Sequence, residues 1–183
     1  MLTEKQVKKT TLNLIDRLKN LESLRAIAYK LINPEEGEGW TKKQTEAAIA
    51  NYLRFLLLKR EYPNAEIVPS QEIDRVWHLH ILDTLNYAAD CQAVFGQFIH
   101  HFPYFGIRGK GDRASLEATF TRTQALFKEH FSVSLGRSSV CVIPHKKEQV
   151  QPSVCVIPSN VDTFRPRVDI DLDSYFPTEF KSV

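Results

Sequence analysis

Four of the six histidines lie in one largely apolar stretch, residues 69–106, as His78, His80, His100 and His101. The same stretch contains acidic, aromatic and thiol side chains that could share a site with them, namely Asp74, Trp77, Tyr87, Asp90 and Cys91. Imidazoles, carboxylates and thiolates bind protons and metal ions. We therefore take this stretch as the candidate functional site.

One interpretation of these residues is a metal centre. Asp74 and His78 are four residues apart, which places both on one helix face and within reach of a single ion. His80 lies two residues after His78 and points nearly the opposite way, so a regular helix cannot direct both to one ion. If the chain reverses after the helix, the set could be completed by His100 or His101. One Asp and two His, with other positions left to water, suit zinc or ferrous iron.

The same residues also have a purely structural interpretation. A buried histidine often donates a ring N–H to a carboxylate and then serves only in packing. Asp74 with His78, and His80 with Asp83, could be such pairs. Trp77 is typical of a core residue whose indole N–H has an acceptor.

Catalytic roles depend on which interpretation holds. In a metal-dependent enzyme, the ion would activate water or oxygen, and Asp90 or His80 could act as the general base. Cys91 lies on an apolar helix, where a thiol is more often inert than nucleophilic. The pattern predicts where a site lies without naming a reaction.

Four main helices are expected to position these residues, so the predicted fold is an all-α, bundle-like domain. Capping boxes at Thr3 with Gln6 and at Thr41 with Gln44 open the first two helices, and Ser70 caps the third. The fourth helix can be capped by Asp112. The apolar periodicity and the Pro and Gly positions give approximate helix ranges of 3–33, 41–60, 70–95 and 112–131, with a short turn at 98–101.

One run in the third helix resembles a known family. Residues 73–80 read IDRVWHLH, follow a Pro69-Ser70 turn, and precede Leu82, Tyr87, Asp90 and Cys91. This pattern is similar to the signature of the glycine-rich domain-containing-protein-like family, in which a Trp-His-any-His block is followed by Tyr and Asp-Cys. The segment from Gly96 to His100-His101-Phe102-Pro103 is similar to bacterial-type members.

The resemblance spans about residues 40–106 and implies a helical domain of largely unassigned biochemistry. The glycine-rich region of the plant proteins is absent from this chain, which has seven glycines. The resemblance therefore strengthens the prediction of the fold and of the site more than that of the function.

The chain changes character after Phe131, where helical periodicity ends and prolines recur. We predict a helical domain at 1–131 and an irregular, proline-punctuated extension at 132–183. The extension repeats SVCVIP, at Ser139–Pro144 and at Ser153–Pro158. These segments could dock onto a protein partner as added strands. Alternatively, Cys141 and Cys155 could form a reversible disulfide or be modified.

Composition excludes several function classes. With 24 basic and 22 acidic residues, the net charge of +2 gives no reason to expect nucleic-acid binding. No glycine-rich phosphate loop, serine elbow or Cys-any-any-Cys pair is present. The apolar runs are too short for a membrane span, no secretory signal is evident, and three cysteines without framework spacing favour a reducing, cytoplasmic location.

Two function classes remain. The first is an interaction or adaptor module whose extension carries two linear motifs. The second is a zinc- or iron-dependent enzyme that uses Asp74, His78 and either His100 or His101. Substrate, partner and oligomeric state do not follow from the sequence.

Overall fold

The computed structural model describes residues 4–137 and 165–176, with side chains from residue 12 onward. The described residues form six α-helices, α1 (Glu4–Lys19), α2 (Ser23–Ile32), α3 (Lys42–Glu61), α4 (Gln71–Leu82), α5 (Thr84–Phe95) and α6 (Lys110–Phe131), and a short 3-10 helix, Asp173–Tyr175. Because these residues contain no strand, the predicted all-α class is confirmed. None of their helices is long and apolar enough to cross a bilayer.

Helix α3 is the centre of the fold. It begins at the predicted capping box, in which the Thr41 hydroxyl accepts from the Gln44 backbone and the Gln44 side chain accepts from the Thr41 backbone. Tyr52, Leu53 and Phe55 on this helix are fully buried. Helices α1, α2, α4 and α6 all pack against it. A helix that is apolar on most of its faces needs such neighbours on every side.

The expected first helix is in fact two helices, α1 and α2. The chain leaves helical geometry at Asn20–Glu22, where the Asn20 side chain donates to the Asp16 carbonyl at 2.7 Å and closes α1. Asparagine favours such local side-chain to backbone bonds over continuing a helix. Both α1 and α2 pack against α3. The capping box proposed at Thr3 lies outside the described residues.

The expected third helix is also divided, into α4 and α5. Asp83 ends α4 and precedes α5, with φ −85° and ψ 68°, outside the helical region. Its carboxylate accepts from Asn86 and pairs with Arg165 at 2.7 and 3.0 Å. Helix α5 therefore turns back to pack against α4 instead of extending it. The described residues thus form six main helices, where about four were expected.

A loop at residues 96–109 connects α5 to α6. It begins at Gly96, whose left-handed φ of 72° caps α5 as expected. The predicted helical turn at 98–101 is not formed. The Asp112 carboxylate accepts from the backbone N–H groups of Gly106 and Arg108 at 2.8 and 3.1 Å. Asp112 thus lies in the first turn of α6, two residues after the helix begins, and fixes the end of the loop.

Residues 165–176 return to the helices and pack against them. Leu172 and Phe176 are buried there. The Arg54 guanidinium, on α3, lies 5.1 Å from the centre of the Phe176 ring and donates to the Tyr175 carbonyl. At the other end of the segment, Arg165 pairs with Asp83 at the α4–α5 break. This part of the extension is an ordered arm on the helical core.

The proposed division at residue 132 remains a prediction. Both SVCVIP repeats, with Cys141 and Cys155, lie outside the described residues. A chain that ends near residue 135 should keep its helical circular dichroism and a cooperative thermal transition, at reduced stability because the arm is missing. Loss of the cooperative transition would overturn the proposed boundary.

Phe176→Ala should lower the free energy of unfolding by about 3 kcal/mol, because it removes a buried ring and its contact with the Arg54 guanidinium. Ser174→Ala is the matched control, since Ser174 is exposed on the same segment, and it should change the value by less than about 0.5 kcal/mol. Urea unfolding followed by circular dichroism measures both. A Phe176→Ala midpoint equal to that of wild type would show that the arm adds no stability.

Candidate functional site

Helix α4 carries ionisable side chains on two of its faces. The Ser70 side chain accepts from the Ile73 backbone and caps the helix. One face carries Asp74 and His78, and His80 points elsewhere, as the helical period requires. Asp74 is buried, and the His78 side chain is 27% exposed. These two faces belong to different clusters.

The first cluster joins Asp74 and His78 with His101 from the loop. The Asp74 carboxylate lies 3.7 Å from His78 Nδ1 through one oxygen and 3.0 Å from His101 Nε2 through the other. The two imidazole rings are 4.7 Å apart, centre to centre. One donor atom from each of the three residues lies within 4.8 Å of the others. Among the described residues, the chain thus brings one carboxylate and two imidazoles together.

Burial sets the protonation of His78. Desolvation lowers the pKa of His78, and the nearby Asp74 charge opposes that shift without cancelling it. His78 is then neutral at neutral pH, which is the form that ligates a metal. An ionised carboxylate only accepts, so His101 Nε2 donates its proton to Asp74.

A hydrogen-bond chain brings His101 to this position. The Trp77 indole donates to the Tyr87 hydroxyl at 2.9 Å, and that hydroxyl donates to the Ile99 carbonyl at 2.5 Å. Burial raises the pKa of Tyr87, so its hydroxyl keeps the proton that it donates. The Trp77 ring also lies 4.4 Å from the His101 ring. His100 is not one of the three clustered residues, and the centre of its ring lies 5.0 Å from that of the Phe98 ring.

His80 belongs to the second, buried cluster. Its Nε2 lies 3.0 Å from the Asp90 carboxylate, and its Nδ1 lies 2.9 Å from the Tyr52 hydroxyl. Ser23 donates to the same Asp90 oxygen at 2.5 Å. Every group is satisfied if His80 donates to Asp90 and accepts from Tyr52, whose own pKa burial raises. His80 is 1% exposed, which makes it unsuited to act as a general base.

The remaining candidate residues support these two clusters. Cys91 is buried, and burial raises the pKa of its thiol, which disfavours the nucleophilic thiolate. The sequence-based alternative that paired His80 with Asp83 was wrong, because α5 folds back and brings Asp90 to His80 instead. The seven residues proposed around α4 therefore divide between a partly exposed cluster and a second cluster centred on the buried His80.

A cavity of about 300 Å³ lies beside the first cluster. Asp74, Trp77 and His101 form part of its wall. The rest is mainly apolar, with a few charged side chains, and comprises Lys59, Glu66, Ile67, Val68, Pro69, His100, Phe102, Phe105, Arg108 and Leu116. This volume is at the lower end for small-molecule sites.

Sequence reasoning missed Ser23, Tyr52 and Lys59. Tyr52 carried one signal, because a hydroxyl in an otherwise apolar run needs a buried partner. Ser23 and Lys59 carried none, since each reaches its neighbours only through packing between separate helices.

The chain is similar to a known protein family and to two curated plant proteins. A family model described as UCP032817-like matches residues 23–126. Glycine-rich domain-containing protein 1 of Arabidopsis thaliana is 30% identical over 90 residues, and glycine-rich domain-containing protein 2 of the same plant is 31% identical over 90 residues. Each alignment covers 47% of this chain and 11% of the relative. The resemblance to glycine-rich domain-containing proteins is thus confirmed at the level of a related family. No solved structure matches the chain.

Asp90→Ala should destabilise the fold by about 1–3 kcal/mol, because it leaves the Ser23 hydroxyl and His80 Nε2 buried without their acceptor. Asp169→Ala serves as the control, since the Asp169 side chain is 94% exposed and its pair with Arg25 is long, at 3.9 Å. Urea unfolding of both variants measures the difference. Equal effects would contradict the importance of the buried cluster.

Proposed function

The chain belongs to the UCP032817-like family, and we propose that this member binds one zinc or ferrous ion through Asp74, His78 and His101. One carboxylate and two imidazoles are a ligand set that both ions accept. The ion would give the helical domain a metal-dependent enzymatic activity. Because the chain spans about a tenth of the length of the curated relatives it matches, their whole-protein activities carry no weight in this proposal.

The observation that supports the proposal is the short distance between the three donor atoms, which all lie within 4.8 Å of one another. Metal–ligand bonds of roughly 2.1 Å bring donors to roughly 3–3.5 Å from one another. Small side-chain rotations would therefore close this set on one ion. The ion would take the place of the proton between His101 and Asp74.

The adjoining cavity favours an enzyme over a purely structural ion site. Structural zinc sites have four protein ligands, whereas catalytic sites keep a position for water or substrate. Three protein ligands leave such a position, and the cavity shares Asp74 and His101 with the cluster. The bound ion would activate water or oxygen there.

An interaction module is the second candidate, and a specific surface favours it. The loop at 96–109 exposes four large apolar side chains, Phe98, Phe102, Tyr104 and Ile107. Exposed apolar groups that cluster in one segment are typical of protein-binding surfaces. The SVCVIP repeats with Cys141 and Cys155 would add a second docking element, in the form of strands that pair with a partner.

Two finer assignments also stay proposals. Residues 96–103 favour a bacterial-type member of the related family. The cysteine content favours a cytoplasmic location.

His78→Ala and His101→Ala should each lose the bound metal while retaining the fold, because each removes one of three ligands. His100→Ala is a matched control, since His100 precedes His101 in the sequence but its ring contacts that of Phe98. Elemental analysis of untagged protein, purified without chelators, gives the metal per chain. Thermal unfolding in the same samples tests the fold.

Two results would contradict the metal proposal. The first is a wild-type chain that contains no zinc or iron and takes up neither when it is added. The second is equal metal content in His78→Ala and wild type. In either case Asp74, His78 and His101 would be a hydrogen-bonded structural group.

Tyr87→Phe should weaken metal binding about 10- to 100-fold, because the loop that carries His101 loses its bond to the Tyr87 hydroxyl. Tyr104→Phe, on the exposed part of the same loop, should leave it unchanged. Competition with a zinc-sensitive dye measures both affinities. A Tyr87→Phe affinity equal to that of wild type would show that the loop holds its position without this bond.

A further inference from the structure

The wall of the cavity beside the candidate metal cluster includes a lysine that is not part of the cluster. Lys59, in the last turn of α3, forms part of the cavity wall. It is half-buried, and no carboxylate forms an ion pair with it in the part of the chain that the structure describes. A half-buried ammonium without a counter-ion is unusual, because burial penalises the charged form. That penalty lowers the pKa of Lys59.

The other charged groups in the cavity wall do not provide this counter-ion. The Arg108 guanidinium already pairs with Asp112 at 2.9 Å, so its charge is compensated. Glu66 is exposed, and its charge is solvated. Asp74 belongs to the metal cluster. Of the lysine and arginine side chains in the cavity wall, Lys59 is thus the one that has no ion-pair partner among the described residues.

The remaining wall is apolar and aromatic. Trp77, Phe105 and Leu116 contribute to it, together with the short apolar run Ile67–Pro69. A ligand that fills this cavity must therefore be small, carry an apolar body, and present an anionic group to Lys59. A phosphate group usually meets several donors or an arginine fork, whereas a single carboxylate suits a single lysine.

We propose that the cavity binds a small organic acid with an apolar body, whose carboxylate pairs with Lys59 and whose body lies against Trp77, Phe105 and Leu116. This inference rests on the proposed function, since it names the substrate class of the metal-dependent enzyme. The acid would lie beside the ion held by Asp74, His78 and His101.

The probe is phenylacetate, with phenylacetamide as its neutral counterpart and inorganic phosphate as the competing anion. Isothermal titration of the full chain, with and without saturating zinc, gives each affinity. Lys59→Met keeps an unbranched side chain only one atom shorter and removes its charge, so phenylacetate should bind at least about tenfold more weakly. Lys59→Arg should retain most of the affinity. Glu66→Gln removes another charge from the cavity wall and should not weaken binding.

The outcomes separate this inference from the proposed function. Phenylacetate binding that exceeds phenylacetamide binding and depends on Lys59 supports the acid site. Equal binding of phenylacetate and phenylacetamide, stronger binding of phosphate, or no binding at all overturns the acid site, and zinc uptake in the same samples still tests the ion. Phenylacetate binding through Lys59 in a chain that takes up neither zinc nor iron would overturn the metal proposal alone.

Discussion

One buried imidazole and the carboxylate that pairs with it connect four helices of this chain. His80 on α4 contacts the Tyr52 hydroxyl from α3 and the Asp90 carboxylate from α5, which also accepts from Ser23 at the start of α2. A buried polar group that loses a partner carries the full cost of its desolvation. These contacts therefore hold α5 in one position against α4. The apolar core alone would tolerate small shifts between the same helices.

The geometry of the candidate metal cluster depends on that arrangement. Because α5 folds back at Asp83, the Tyr87 hydroxyl lies between the Trp77 indole and the Ile99 carbonyl. This fixes the loop in the register that directs His101 to Asp74. If α4 had continued as a single straight helix, Tyr87 would lie beyond His80, far along the axis from the loop. The buried cluster around His80 thus helps to position the more exposed cluster for which we propose a metal ion.

The same contacts explain why a polar cluster is tolerated at the edge of the core. The Asp74 carboxylate is buried, yet it accepts from His101 and lies beside His78. Burial also leaves His78 neutral. Groups arranged in this way hold a proton at low energetic cost, and under our proposal a metal ion would displace that proton. The hydrogen-bonded pair and the proposed ligand set would then share one geometry.

Local sequence determined the helical class, the capping box at Thr41, the cap at Ser70 and the shared face of Asp74 and His78. All of these follow from helical periodicity and from hydrogen bonds between residues a few positions apart. The sequence pattern also located the candidate site, because four of the six histidines lie within residues 69–106.

Only the tertiary structure decided that His101 and not His100 reaches Asp74, that His80 pairs with Asp90 and not Asp83, and that Lys59 lies in the cavity wall. Each of these contacts joins different elements, and two of them depend on the fold-back at Asp83. No local propensity distinguishes Asp83 from its helical neighbours strongly enough to predict that break. The break is stabilised by Arg165, some eighty residues away, and by the buried partners of His80, so it becomes favourable only once the whole core has formed.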